Sequence, residues 1–223
     1  MSKPYPFAHK ARKRFGQNFL TDQNIINRIV TSINAKPSDR LIEIGPGQGA
    51  ITQQLIQACP QLQVIELDRD LIPILLAQFA KYPEFAIHQQ DALRFDFETL
   101  MIGEQPLRIV GNLPYNISTE ILCKWITGLK DIYWFDHLIL MFQKEVADRI
   151  IAQFNTSAYG RLTILANWRL NINKVCDISP ESFSPKPKIQ SSLIHFTPKK
   201  KFAEIKKSYF YPFPHKIVAI LQQ

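Results

Sequence analysis

Three glycines fall within six residues in Gly45-Pro46-Gly47-Gln48-Gly49-Ala50, directly after the apolar run Leu41-Ile42-Glu43-Ile44. A strand that ends in such a turn and is followed by a helical Ile51–Ala58 is half of a βαβ unit, with the turn at the C-terminal end of the strand. The pattern then repeats. Leu62–Leu67 predicts a strand and Arg69–Ala80 a helix, with Pro73 tolerated near its first turn. Phe85–His88 and Leu107–Val110 predict two further strands. Strands alternating with helices at this spacing form a parallel sheet, and such sheets bind ligands beyond the C-terminal ends of their strands.

Upstream, Ile25, Ile26, Ile29, Val30 and Ile33 follow helical spacing behind a cap at Thr21 or Asp22, with Pro37 closing the helix. Downstream, the chain predicts a helix over Ser118–Leu129 capped by Ser118 or Thr119, then a strand over His137–Phe142. An amphipathic helix over Lys144–Phe154, a helix over Arg161–Trp168 and a strand over Leu170–Ile178 follow. Ser184-Pro185-Lys186-Pro187-Lys188 predicts a stiff extended linker, and Leu193–Phe196 the last strand.

The 223 residues suit one large domain with at most a small appendage. Lys and Arg total 27 against 19 Asp and Glu, a net +8, and the excess crowds both ends, at Lys3–Arg14 and Lys186–Lys207. That balance fits a polyanionic partner, nucleic acid being the commonest, or simply a basic surface. Cys59, Cys123 and Cys176 are dispersed and match neither a disulfide framework nor a zinc motif. No secretory h-region and no apolar run of membrane length is present. The expectation is a soluble, cytoplasmic monomer without a metal.

Taken literally, Gly45–Ala50 satisfies the dinucleotide fingerprint, with Glu66 near the place of a ribose-binding acid. Three details favour another adenosine cofactor. Glu43 puts negative charge beside the turn, Pro46 removes an amide that a phosphate could use, and Asp91 follows the third strand. Glu66 can accept from both ribose hydroxyls and Asp91 from the adenine amine. Acids after three successive strands, with Gly45 and Gly47 in the turn, suit a neutral adenosine with a cationic tail, which is S-adenosylmethionine.

Gly111-Asn112-Leu113-Pro114-Tyr115 ends the fourth strand. Asn112 offers an amide oxygen, and Leu113 a carbonyl, to the exocyclic amine of adenine or cytosine. Pro114 stiffens the turn and Tyr115 can stack on the base, an interaction of roughly 1–3 kcal/mol. Phe183, ahead of the last strand, can close the other face of the base or serve as a core residue.

Together, RKRFGQNFL (12–20), IEIGPGQGAIT (42–52), VIELDRDL (64–71), QQDAL (89–93), GNLPYNIST (111–119), QKEVADRI (143–150), YGRLT (159–163) and FSPKPKIQSSL (183–193) resemble the KsgA/RsmA family of small-subunit ribosomal RNA adenine N6-dimethyltransferases. The resemblance implies a Rossmann-like class I methyltransferase, with a mostly parallel seven-stranded sheet and helices on both faces. It implies two methyl groups on each of two adjacent adenosines in a hairpin loop near the 3′ end of 16S rRNA, in the immature small ribosomal subunit. It assigns Asn18, Leu20, Gly45, Glu66, Asp91 and Asn112 to the cofactor, Asn112–Tyr115 to catalysis and Phe183 to the target base. On this reading residues 1–198 are the catalytic domain, with a basic arm over 1–20. Residues 199–223 are a basic stub where the family carries a helical domain. Two rivals stay open: a 23S rRNA adenine methyltransferase and a non-catalytic RNA-binding assembly factor.

Overall fold

The computed structural model describes residues 17–129 and 133–201, so most of the basic arm and residues 202–223 lie outside the described residues. In chain order the elements are β1 (Phe19–Leu20), α1 (Gln23–Ile33), β2 (Arg40–Ile44), α2 (Thr52–Ala58), β3 (Gln63–Glu66), α3 (Ile72–Gln78), β4 (Ala86–Gln89) and β5 (Leu107–Gly111). They continue with α4 (Tyr115–Gly128), β6 (Phe135–Gln143), α5 (Lys144–Ile150), α6 (Arg161–Arg169), β7 (Leu170–Ile178), β8 (Phe183–Ser184) and β9 (Ser191–Pro198).

Seven strands form one sheet in the order β4-β3-β2-β5-β6-β9-β7, parallel through β6, with β9 antiparallel to both its neighbours. The strand order reverses at β2: β3 and β4 extend one way, β5 and β6 the other. A crevice therefore opens beyond the C-terminal ends of β2 and β5, where such folds bind ligands. Ile44 and Gly111 are register partners there, so the glycine turn and the Asn112 segment emerge side by side.

Side-chain alternation along the strands divides the core into two faces. Ile42, Ile109, Leu138, Leu140 and Phe196 face one way, over the aromatic group of Phe95, Phe97, Trp125 and Trp134. Leu41, Val64, Val110, Ile139 and Leu193 face the other, against α1 and α2. No helix among the described residues is long and apolar enough to cross a membrane.

The elements follow the pattern read from the sequence, with three corrections and one alternative resolved. α1 ends at Asn34, whose left-handed backbone (φ 47°) lets its N–H reach the Val30 carbonyl, three residues before Pro37. Asp22 is the cap at its other end, accepting from the Asn24 and Ile25 amides. α4 starts at Tyr115, not Ser118, because Pro114 takes the N-cap position and the Ser118 amide bonds back to its carbonyl. α5 stops at Ile150, the last residue of its buried stripe, and Phe154 is left in a loop turned by left-handed Asn155.

Two short strands lie apart from the sheet. β1 pairs antiparallel with β8 through Phe19↔Ser184 and Leu20↔Phe183. The Thr21 amide donates to the Ser182 carbonyl at 2.9 Å, and the Ser182 hydroxyl donates to Asp22 at 2.9 Å. Residues 17–22 thus form a strap from the crevice to the loop ahead of β9.

Candidate active site

The crevice contains a cavity with about 1090 Å³ of empty space, mouth included. Gly45, Glu66, Asp91, Asn18 and the run Asn112–Tyr115 all line it. Five separate stretches of sequence thus bring the acids and the amide-aromatic segment to one cavity.

The β2 side is shaped by close backbone approach. A Cβ on Gly45 would come to 3.4 Å from the Asn112 carbonyl oxygen, so the two turns touch through their main chains. Gly47 does not line the cavity; it carries the Phe19 ring, and with φ +57° a Cβ there would lie 2.8 Å from that ring. Leu20 is buried on the far side of Phe19, where it lines a second hollow that shares Gly45 and Asn112 with the first.

Glu66, at the end of β3, is buried, and one of its oxygens accepts from the Asp68 amide at 2.7 Å. Burial pushes its pKa upward, opposed by the amides of Asp68, Gly47 and Leu67. Asp91, after β4, is half-buried and accepts from the Leu93 amide at 2.9 Å, which fixes the turn that presents it. Glu43 is placed otherwise. It lies beneath the glycine turn, 1% exposed, and accepts from the Thr52 hydroxyl at 2.6 Å. Burial raises its pKa to about 8, with Glu66 adding to the rise, so at neutral pH it carries a proton. Glu43 therefore does not present a charge to the cavity.

On the β5 side, the Asn112 amide donates to the Asn18 carbonyl at 3.2 Å. The Tyr115 hydroxyl is 2.6 Å from the Ser191 hydroxyl at the start of β9, and burial raises the pKa of the phenol, which stays neutral. Phe183 is not brought to the cavity: it is 5% exposed and packs in the apolar cluster that includes its β1 partner Leu20.

Several contributors were not singled out from the sequence. Gln17 donates to Asp68 at 2.9 Å, Phe19 separates the two hollows, and Ser191 meets Tyr115. All three lie in segments already noted for their resemblance. Their roles depend on contacts across 51 and 76 residues for Gln17 and Ser191, which no local pattern reveals.

The sheet, the glycine turn at its switch point and the ordered acids define a class I S-adenosylmethionine-dependent methyltransferase. The chain belongs to the ribosomal RNA adenine dimethylase family, whose profile matches residues 8–220 and so runs past residue 198. It is similar to "Ribosomal RNA small subunit methyltransferase A" of Saccharophagus degradans, with 54% identity over 194 residues, 85% of this chain and 70% of the relative. Among solved structures, a dimethyladenosine transferase from Plasmodium falciparum superposes with a TM-score of 0.72 at 27% identity, covering 87% of this chain and 66% of that one. The 23S rRNA methyltransferase ErmE shares the fold, with a TM-score of 0.71 at 21% identity over 92% of this chain and 78% of its own.

Proposed function

We propose that this chain transfers methyl groups from S-adenosylmethionine to N6 of adenosines in 16S rRNA. It does so twice on each of two adjacent adenosines in a 3′-terminal hairpin loop, acting as a cytoplasmic monomer on the immature small subunit. The observation that carries this reading is the single cavity in which Glu66 and Asp91 face Asn112–Tyr115. The relatives' names favour the small subunit, and the likeness to the 23S enzyme is one of fold.

The cofactor supplies an electrophilic methyl group on a sulfonium. Glu66 and Asp91 would accept from its ribose and adenine beside Gly45 and Asn18, while Gly47 and Leu20 act from outside the cavity, Gly47 by carrying the Phe19 ring and Leu20 by anchoring the strap. Glu43 acts from behind the turn by holding Thr52. An adenine N6 lone pair is delocalised into the ring and is a poor nucleophile. Asn112 Oδ1 and the Leu113 carbonyl accept its two hydrogens and draw the nitrogen toward tetrahedral geometry, while Tyr115 holds the ring by stacking. Positioning and electrostatics then suffice. Phe183 reaches the other face only by leaving its packing against Leu20.

The test is incubation of immature small subunits and of 23S rRNA with labelled S-adenosylmethionine and the full chain. Dimethyladenosine in 16S rRNA is expected. Label only in 23S rRNA, or bound cofactor with no transfer, would overturn the assignment.

A further inference from the structure

Seven large apolar side chains are exposed among the described residues. Four of them, Phe154 (83%), Tyr159 (38%), Ile164 (45%) and Ile189 (42%), belong to the loop after α5, the start of α6 and the loop before β9. Phe154 and Tyr159 meet edge to face with centroids 5.6 Å apart. The loop that carries them is ordered by its own bonds. The Tyr159 amide donates to the Thr156 carbonyl at 3.1 Å, and the Thr163 hydroxyl ties the start of α6 to the Arg149 carbonyl at 2.5 Å. A phenylalanine left this exposed adds little to the fold, since stabilisation follows the apolar area withdrawn from water.

The position of the pair gives it a use. α5 begins where β6 ends, at the sheet edge that holds the candidate active site. A groove separates α5 and the aromatic loop from the segment before β9, with Lys144, Arg149, Ser157, Ala158, Ile189 and Gln190 among its walls. The Gln190 carbonyl accepts from the Lys144 amide at 2.9 Å, and the next residue, Ser191, is the one that meets Tyr115. Gln190 in the groove is thus adjacent in sequence to the residue that meets the Tyr115 hydroxyl. Within it Lys144 pairs with Asp148 and Arg149 with Glu145, so its floor is close to neutral. Lys186 is paired with Glu181, while Lys188 and Arg161 are exposed cations on the flanking segments. Aromatic faces beside cations suit single-stranded nucleic acid, whose bases stack and whose phosphates pair.

We propose that Phe154 and Tyr159 form a stacking subsite for an unpaired nucleotide next to the target adenosine, with the RNA strand crossing the groove at Ile189 and Gln190. The proposal rests on the RNA-methyltransferase reading above. An adenine taken out of its stack leaves neighbours that are themselves free to be splayed onto a protein surface.

The probe is an unstructured oligoribonucleotide carrying 2-aminopurine, titrated with the full chain, with Phe154→Ala and with Phe154→Tyr. The unaltered chain and Phe154→Tyr are expected to quench its fluorescence and bind alike. Phe154→Ala is expected to bind about tenfold more weakly, the worth of one lost stack, with S-adenosylmethionine affinity unchanged. Equal oligoribonucleotide affinity for Phe154→Ala and the unaltered chain overturns the proposal. So does self-association of the unaltered chain that Phe154→Ala abolishes while leaving RNA affinity intact, since the pair then serves a second copy. Failure of the functional reading shows separately, as no label passed to 16S rRNA by the unaltered chain, because the titration requires no transfer.

Discussion

The side-chain amide of Asn112 donates to the backbone carbonyl of Asn18 across 3.2 Å. With its nitrogen turned to the strap, Asn112 keeps its oxygen as the acceptor available to a base. A ring amine satisfies that oxygen and a ring carbonyl repels it, so the strap helps select the kind of base that can sit there.

Asn112→Asp replaces the donor with an oxygen that opposes the Asn18 carbonyl. Single-turnover methylation of 16S rRNA should fall on the order of a hundredfold, the range for losing one preorganised polar contact. S-adenosylmethionine binding measured by calorimetry should shift only a few-fold. A variant that methylates at the original rate would show that the orientation of Asn112 is unimportant.

Tyr115→Ala removes the stacking face and leaves the acids on the opposite wall in place. Methylation should drop by about tenfold or more with cofactor affinity nearly unchanged. Tyr115→Phe keeps the ring and loses only the bond to Ser191, so its effect should be smaller. If cofactor binding and methylation fell together in Tyr115→Ala, the division of the cavity into two sides would be wrong.

Gly47→Ala forces a side chain into left-handed backbone, at roughly 1–2 kcal/mol, and drives it into the Phe19 ring 2.8 Å away. Gly103 has nearly the same φ, +59°, with no neighbour within 4 Å of a Cβ. Both alanine variants should melt at lower temperature. Only Gly47→Ala should also weaken S-adenosylmethionine binding, by about tenfold or more, because it alone displaces the strap. Equal affinities in the two variants would remove Phe19 from the site.

Glu43 makes stability depend on pH. Its folded pKa is about 8 against 4.5 for an unperturbed glutamate. Between those values the folded protein keeps a proton that the unfolded chain has released, so stability declines as pH rises through this window and levels off above it. Glu43→Gln retains an acceptor for Thr52 and removes the titration. Its unfolding free energy by denaturant titration should exceed that of the unaltered protein at pH 8.5 by an amount on the order of a few kcal/mol, and the gap should close toward pH 4.5. Parallel pH profiles for the two proteins would refute the assignment.

The sheet was legible because its strands are apolar runs separated by helices at βαβ spacing, and that pattern is local. The same pattern put the ligand site beyond the C-terminal ends of the strands, but that Gly45 and Asn112 end neighbouring strands depends on the strand order, which no local pattern gives. Glu43 and Phe183 show where legibility stopped. Each has the residue type its expected role requires, but strand alternation turns Glu43 beneath the glycine turn, and pairing with Leu20 holds Phe183 in the core. Facing depends on pairings between distant segments, and the β1–β8 pair leaves no periodic trace in two-residue strands. The ends of α1, α4 and α5 were missed for a smaller reason. Asn34, Pro114 and Asn155 act through single backbone angles, and hydrophobic spacing does not report those.

The strap also orders events during synthesis. Thr21 and Ser182 are 161 residues apart, so on a ribosome translating this chain the strap's partner is made long after the strap. Strands β2 to β6 can assemble as they emerge, since their neighbours are close in sequence, whereas a contact of such long span must await its distant half. A nascent chain that has reached β6 has the glycine turn and both acids but no wall from Asn18 and Phe19. A segment translated ahead of the sheet thus waits for a partner translated after β7, and the ligand site closes only then.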